Sequence, residues 1–271
     1  MHRDLSDLLQ EWPFEPGKIN VRLIQGQDGD PIIQVRLDLG ILQMHAGGRP
    51  DGQTPHGYDS LLEYHEFRLD EHAAAQIDPG PPADPDAAPE PADDKSGTEE
   101  ESFRLTSDEC RQLREEASQY AHRFIALLVL EDFEGVVRDT TRNLRVLDIL
   151  AAHAPTEPDR QSIEPQRAYL TMMRARAMAS LAVKDAEPKA AVLALDEGLD
   201  ALRSVFETQG RANQFETCKE AEALRGMREA LVPKLPVSQK AELRARLDEA
   251  IMNENYELAA ILRDELRMLP G

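Results

Sequence analysis

The run Ala241-Glu242-Leu243-Arg244-Ala245-Arg246-Leu247-Asp248-Glu249-Ala250-Ile251 leads through Met252-Asn253-Glu254-Asn255 into a second run. That run is Tyr256-Glu257-Leu258-Ala259-Ala260-Ile261-Leu262-Arg263-Asp264-Glu265-Leu266-Arg267-Met268-Leu269. Leu243, Leu247, Ala250 and Ile251 recur at helical spacing and form one apolar stripe; Tyr256, Ala259, Leu262, Leu266 and Leu269 form another. Asn253-Glu254-Asn255 is only long enough to reverse the chain, and Asn255 suits an N-cap. The pattern predicts an antiparallel helical hairpin with one apolar face. Helices of three to four turns are marginal alone in water, so this hairpin needs a further apolar surface.

The same residues carry a resemblance. Leu243-x3-Leu247-x2-Ala250-x3-Glu254-x-Tyr256-Glu257-x-Ala259-x2-Leu262-Arg263-Asp264-x-Leu266-x2-Leu269 resembles the UVR motif. That motif is shared by excinuclease subunits B and C and recurs in some Clp-type chaperones and their regulators. Aromatic-Glu-x-Ala followed by Leu-Arg-Asp is the distinctive part, because helical spacing alone does not demand it. The resemblance implies a protein–protein contact, to a partner or to a second copy. Its binding residues would be Leu243, Leu247, Ala250, Tyr256, Ala259, Leu262, Arg263, Asp264 and Leu266.

Upstream, the chain reads mostly as helix. Apolar periodicity predicts helices at about 107–130, 132–152, 163–184, 187–207 and 212–231, with Pro233 and Pro236 breaking the chain before the hairpin. Asp132-Phe133-Glu134-Gly135-Val136-Val137 aligns with Glu187-Pro188-Lys189-Ala190-Ala191-Val192, 55 residues on. Ala191-x3-Leu195-x2-Gly198 resembles the small-residue spacing of tetratricopeptide (TPR) repeats, although the period exceeds their usual length of about 34 residues. The expected fold is mostly α: a TPR-like antiparallel array over 102–232, then the hairpin at 238–269.

Residues 1–73 read differently, as a small α+β module. Ile19, Val21 and Leu23 alternate with polar residues, as do Ile33, Val35, Leu37 and Leu39, with turn chemistry from Gly26 to Pro31. This predicts a β-hairpin, with Gly40 a bulge or the start of a third strand through Met44. A helix at about 58–73, with Leu61, Leu62, His65 and Leu69 on one face, is its natural cover, completed by Trp12 and Phe14. Residues 74–101 hold six prolines among Ala, Asp and Glu with no apolar period, the composition of a disordered linker between two folded bodies.

Fifty-one acidic residues against thirty-one basic give a net charge of −20, which opposes contact with a phosphate backbone. No direct nucleic-acid binding is expected. No run has the length of a membrane span, and a cytoplasmic location is the expectation. Cys110 and Cys218 lie far apart with no CxxC pair, so both read as buried hydrophobes and no metal site is expected. No nucleophile elbow, dinucleotide fingerprint, helicase or nuclease motif is present, so neither catalysis nor a cofactor is expected. The loop Ala46–Gly57 is the one stretch with ligand-loop chemistry, through Arg49, Asp51 and His56; a tight exposed connector accounts for it better. Three functions follow: an adaptor docking through the hairpin, an accessory factor of nucleotide excision repair, or a small-ligand module on the β unit.

Overall fold

The structure is a computed structural model that describes residues 5–77, 102–231, 239–252, 258, 262 and 263. A short helix α1 (Ser6–Glu11) precedes three strands, β1 (Asn20–Gln25), β2 (Pro31–Leu37) and β3 (Gly40–His45), and a helix α2 (Leu61–Ile77). The helical body then follows: α3 (Ser107–Val129), α4 (Phe133–His153), the five-residue α5 (Glu157–Gln161), α6 (Arg167–Lys184), α7 (Pro188–Thr208) and α8 (Lys219–Leu231). A last helix, α9, covers Gln239–Met252. Among the described residues, no helix is long and apolar enough to cross a membrane. The predicted linker lies outside them from residue 78 on, and α2 occupies its first four positions, 74–77.

The strands form an antiparallel sheet in the order β1-β2-β3, so Gly40 begins a third strand. Register places Val21, Val35 and Leu42 in one row and Leu23, Ile33 and Met44 in the next, making an apolar face. The opposite face carries a polar ladder: Arg22 donates to Gln34 at 2.8 Å and Gln34 to Gln43 at 2.8 Å. Trp12 sits there, with the Arg22 guanidinium 4.2 Å from its ring. Arg36, buried at 7% exposure, donates to the Trp12 carbonyl at 2.7 Å.

The sheet is covered by α3 and α4 rather than by the expected helix α2. Ile33 and Met44 pack into the main core with Phe124 and Leu127 of α3 and Val136 of α4. Leu61 and Leu62 of α2 belong to a second core, with Leu105, Cys110, Leu113, Val146 and Leu150. Thus α3 and α4, longer and richer in buried side chains, serve as the common wall for both. Each buried Leu- or Ile-sized side chain contributes about 1.5–3 kcal/mol.

The 55-residue similarity has a backbone counterpart. After α3 the amide of Asp132 reaches the Leu127 carbonyl at 3.0 Å and that of Glu131 reaches Leu128 at 3.2 Å. After α6, Glu187 reaches Ala182 at 2.8 Å and Ala186 reaches Val183 at 3.1 Å. Both are Schellman closures with a left-handed residue at the same place, Glu131 (φ 58) and Ala186 (φ 60). The α6–α7 seam is tight because Gly198 lacks a Cβ; one built there would lie 2.3 Å from the Cβ of Ala175.

Two expected helices are redrawn. Residues 212–231 divide into a 3-10 turn (Ala212–Thr217) and α8, because Cys218 is extended (φ −75, ψ 142). Cys218 is therefore half-buried between elements, whereas Cys110 is fully buried in α3, its thiol pushed up to about 11 by burial. The helix expected from 163 begins as a 3-10 turn at Glu164–Gln166 that holds Pro165, then continues as α6.

Candidate functional site

Within α9, Leu247 is half-buried and Ala250 is 4% exposed, whereas Ile251 is 50% exposed and Met252 80%. At about 100° per residue, Ile251 stands a quarter-turn from Ala250, so the predicted stripe divides into a covered edge and an open one. Leu262 is buried, Leu258 is 37% exposed, and Arg263 lies on the surface. The side chain of Leu243 and the whole of Tyr256, Ala259, Asp264 and Leu266 lie outside what the structure describes, as does the Asn255 cap.

Residues 238–269 match the UvrB/uvrC motif. Neither curated proteins nor solved structures offer a match to the chain. The UVR motif thus covers the described helix α9 and the three described residues that follow it, and it points to protein–protein association.

The second sequence-derived site, the loop from Ala46 to Gly57, is docked rather than free. Arg49 Nε lies 3.1 Å from Asp51 Oδ1 and 3.3 Å from Glu116 Oε2 of α3. Asp51 also accepts from the Gln53 amide at 3.0 Å and from Gln119 Nε2 at 3.1 Å. His56 adopts a left-handed backbone (φ 53) and stacks on Tyr64 of α2, ring centres 4.2 Å apart. Arg49 and Asp51 are therefore brought together, while His56 is held by α2. Most of the loop is exposed, as a connector would be, but Pro50 is buried and the Arg49 side chain is only 12% exposed.

What docks the loop is a buried charge network that the sequence reading left unmarked. Arg123 of α3 forms a bidentate pair with Asp139 of α4, at 2.7 and 2.8 Å, with both side chains 1% exposed or less. Its remaining nitrogen donates to the carbonyls of His45 at 3.1 Å and Gly48 at 2.7 Å. Arg138 donates to Asp139 at 2.9 Å and to the Ala46 carbonyl at 3.2 Å. Glu116, fully buried, pairs with Arg49 and Arg142. Buried guanidinium–carboxylate forks persist only where each charge is matched and hydrogen-bonded, and here they fix the end of β3 against α3 and α4.

The signal was available in the sequence. Glu116 and Arg123 fall on the face of α3 that carries Leu113, Ala117, Tyr120, Phe124 and Leu127, and Asp139 and Asn143 on the face of α4 that carries Val136 and Leu147. Opposite charges on facing apolar stripes indicate a buried pair. Among the described residues, no group of three His, Cys, Asp or Glu is arranged to hold a metal ion. His65 is buried instead against Arg68, whose Nη1 lies 3.2 Å from its Nδ1.

Proposed function

We propose that the protein is a non-enzymatic adaptor whose C-terminal hairpin docks on a protein partner or a second copy of the chain. The observation that carries this reading is the UVR match at 238–269, coupled with the exposed apolar pair Ile251 and Met252 at the end of α9. The helical body, with two closures repeated 55 residues apart, supports a TPR-like array as a second interaction surface. A role as an accessory factor of nucleotide excision repair is the second reading, favoured by the name of the motif itself.

Capture with the full chain and with a chain lacking 238–271 tests the first reading, together with elution volume for self-association. Capture, or self-association, that survives the deletion rejects the hairpin as the contact. Purified excinuclease subunits B and C then decide the second reading; neither binding at micromolar concentration removes it.

A further inference from the structure

The charge network opens onto a cavity of about 520 Å³ bounded by α2, α3, α4 and Gly48. Arg138, Arg142 and Arg145 line it from α4 at i, i+4 and i+7, one face of the helix, and Arg123 lines it from α3. Tyr120 lies against this wall, with the guanidinium carbon of Arg142 3.6 Å from its ring centre. In a chain with 51 acidic and 31 basic residues, this is a local concentration of guanidiniums.

The buried carboxylates around it are shared between guanidiniums rather than held one to one, and Arg49 has Asp51 as a second partner. Asp139 serves both Arg123 and Arg138, and Glu66 pairs with Arg145 at 2.5 Å. Glu116 is shared between Arg49 and Arg142 while also accepting backbone amides. Arg142 is the residue left short: its side chain is 11% exposed, its Nε has no acceptor among the described residues, and its Nη2 meets Glu116 without hydrogen-bond alignment. Burial, with the like charge of Arg49 second, pulls its guanidinium down to about 9. A buried donor without an acceptor costs about 1–3 kcal/mol, more when charged, and an oxyanion in the cavity would recover that cost. Asp59 and Glu63 also line the cavity and are exposed.

We propose that this cavity binds a small phosphorylated metabolite through Arg138, Arg142 and Arg145. The guanidinium fork matches phosphate oxygens. Seven residues of helix rise separate Arg138 from Arg145 by about 10 Å, a span that one carboxylate cannot bridge but a diphosphate approaches. The volume falls in the usual range for a small organic ligand.

Isothermal titration calorimetry of the full chain tests this with inorganic pyrophosphate, with succinate, and with sodium chloride at matched ionic strength. Saturable pyrophosphate binding is expected, weakened about tenfold or more in the double variant Arg138→Gln, Arg145→Gln. Those side chains are 50% and 60% exposed, so the variant should keep the parent circular-dichroism spectrum. Arg142→Gln should abolish binding; if it fails to fold, the double variant decides. No saturable heat with pyrophosphate, or equal binding in the double variant, overturns the site and leaves an ion-pair staple. Succinate binding as tightly as pyrophosphate overturns the phosphate assignment.

Discussion

The carboxylate of Glu116, in the middle of α3, accepts the backbone amide of Leu61, the first residue of α2 and 55 positions earlier, at 2.9 Å. The adjacent amide of Leu62 lies 3.4 Å from its other oxygen. A helix start leaves amides unsatisfied and carries a partial positive charge, both of which a buried anion answers. One side chain thus caps α2, anchors Arg49 and faces Arg142. It joins the N-terminal module to the helical body.

Replacing Glu116 by Ala should therefore cost far more than losing an average contact. Two arginines lose their shared carboxylate, and breaking one side of a buried pair costs about 3–5 kcal/mol. Glu116→Gln keeps an acceptor for the α2 amides and should fall between the two. Urea unfolding followed by circular dichroism checks the order; a midpoint for Glu116→Ala within error of the parent would refute this account of the cap.

Gly198→Ala should also destabilise, by about 1–3 kcal/mol from overpacking. The added methyl meets Ala175 Cβ at 2.3 Å and Leu224 Cδ1 at 3.2 Å, and the nearer contact is not the end of a flexible chain. By contrast, Gly226→Ala meets nothing within 4 Å and should be neutral or slightly stabilising, since Ala is the better helix former by about 1 kcal/mol. Thermal melts of the two variants should move in opposite directions.

His65 predicts a pH dependence. Burial lowers its pKa from 6.5 to about 4. The unfolded chain therefore binds the proton first, and stability falls as pH drops from about 6.5 to about 4, with a slope of at most about 1.4 kcal/mol per pH unit. Above 6.5 this residue contributes no slope. His65→Gln should flatten that part of the stability–pH curve; an unchanged slope in the variant would show that other groups set it.

The helices and strands were readable because their apolar periods are strong and local. Boundaries moved where backbone geometry overrode periodicity, as at Cys218, whose extended φ/ψ interrupts an otherwise helical run. The partner of the sheet was not readable. Leu61 and Leu62 form a good apolar face, but nothing local says whether it meets Ile33 or Leu113, and the structure chooses Leu113. The docking network was missed for a related reason. Arg123 and Asp139 each lie on an apolar stripe, but only the facing of the two helices shows them to be a pair. The loop residues Arg49 and Asp51 stand out in the sequence by composition, and in the structure they are partners of each other.

The open edge of α9 allows association to be separated from folding. Met252 is 80% exposed, and a surface substitution typically changes stability by no more than about 0.5 kcal/mol. Leu262 is 2% exposed, and a charge placed there is buried without a partner, which costs several kcal/mol. Leu262→Asp should therefore abolish association by disrupting the hairpin itself, while α3 to α8 stay folded. Met252→Asp, combined with Ile251→Asp, should abolish association with the melt unchanged, because the charges meet only the incoming apolar surface. Elution volume or capture yield reports association, and circular dichroism reports the melt. Should the exposed pair associate like the parent, while Leu262→Asp lowers the melt of the whole chain, the hairpin is part of the core and the adaptor reading falls.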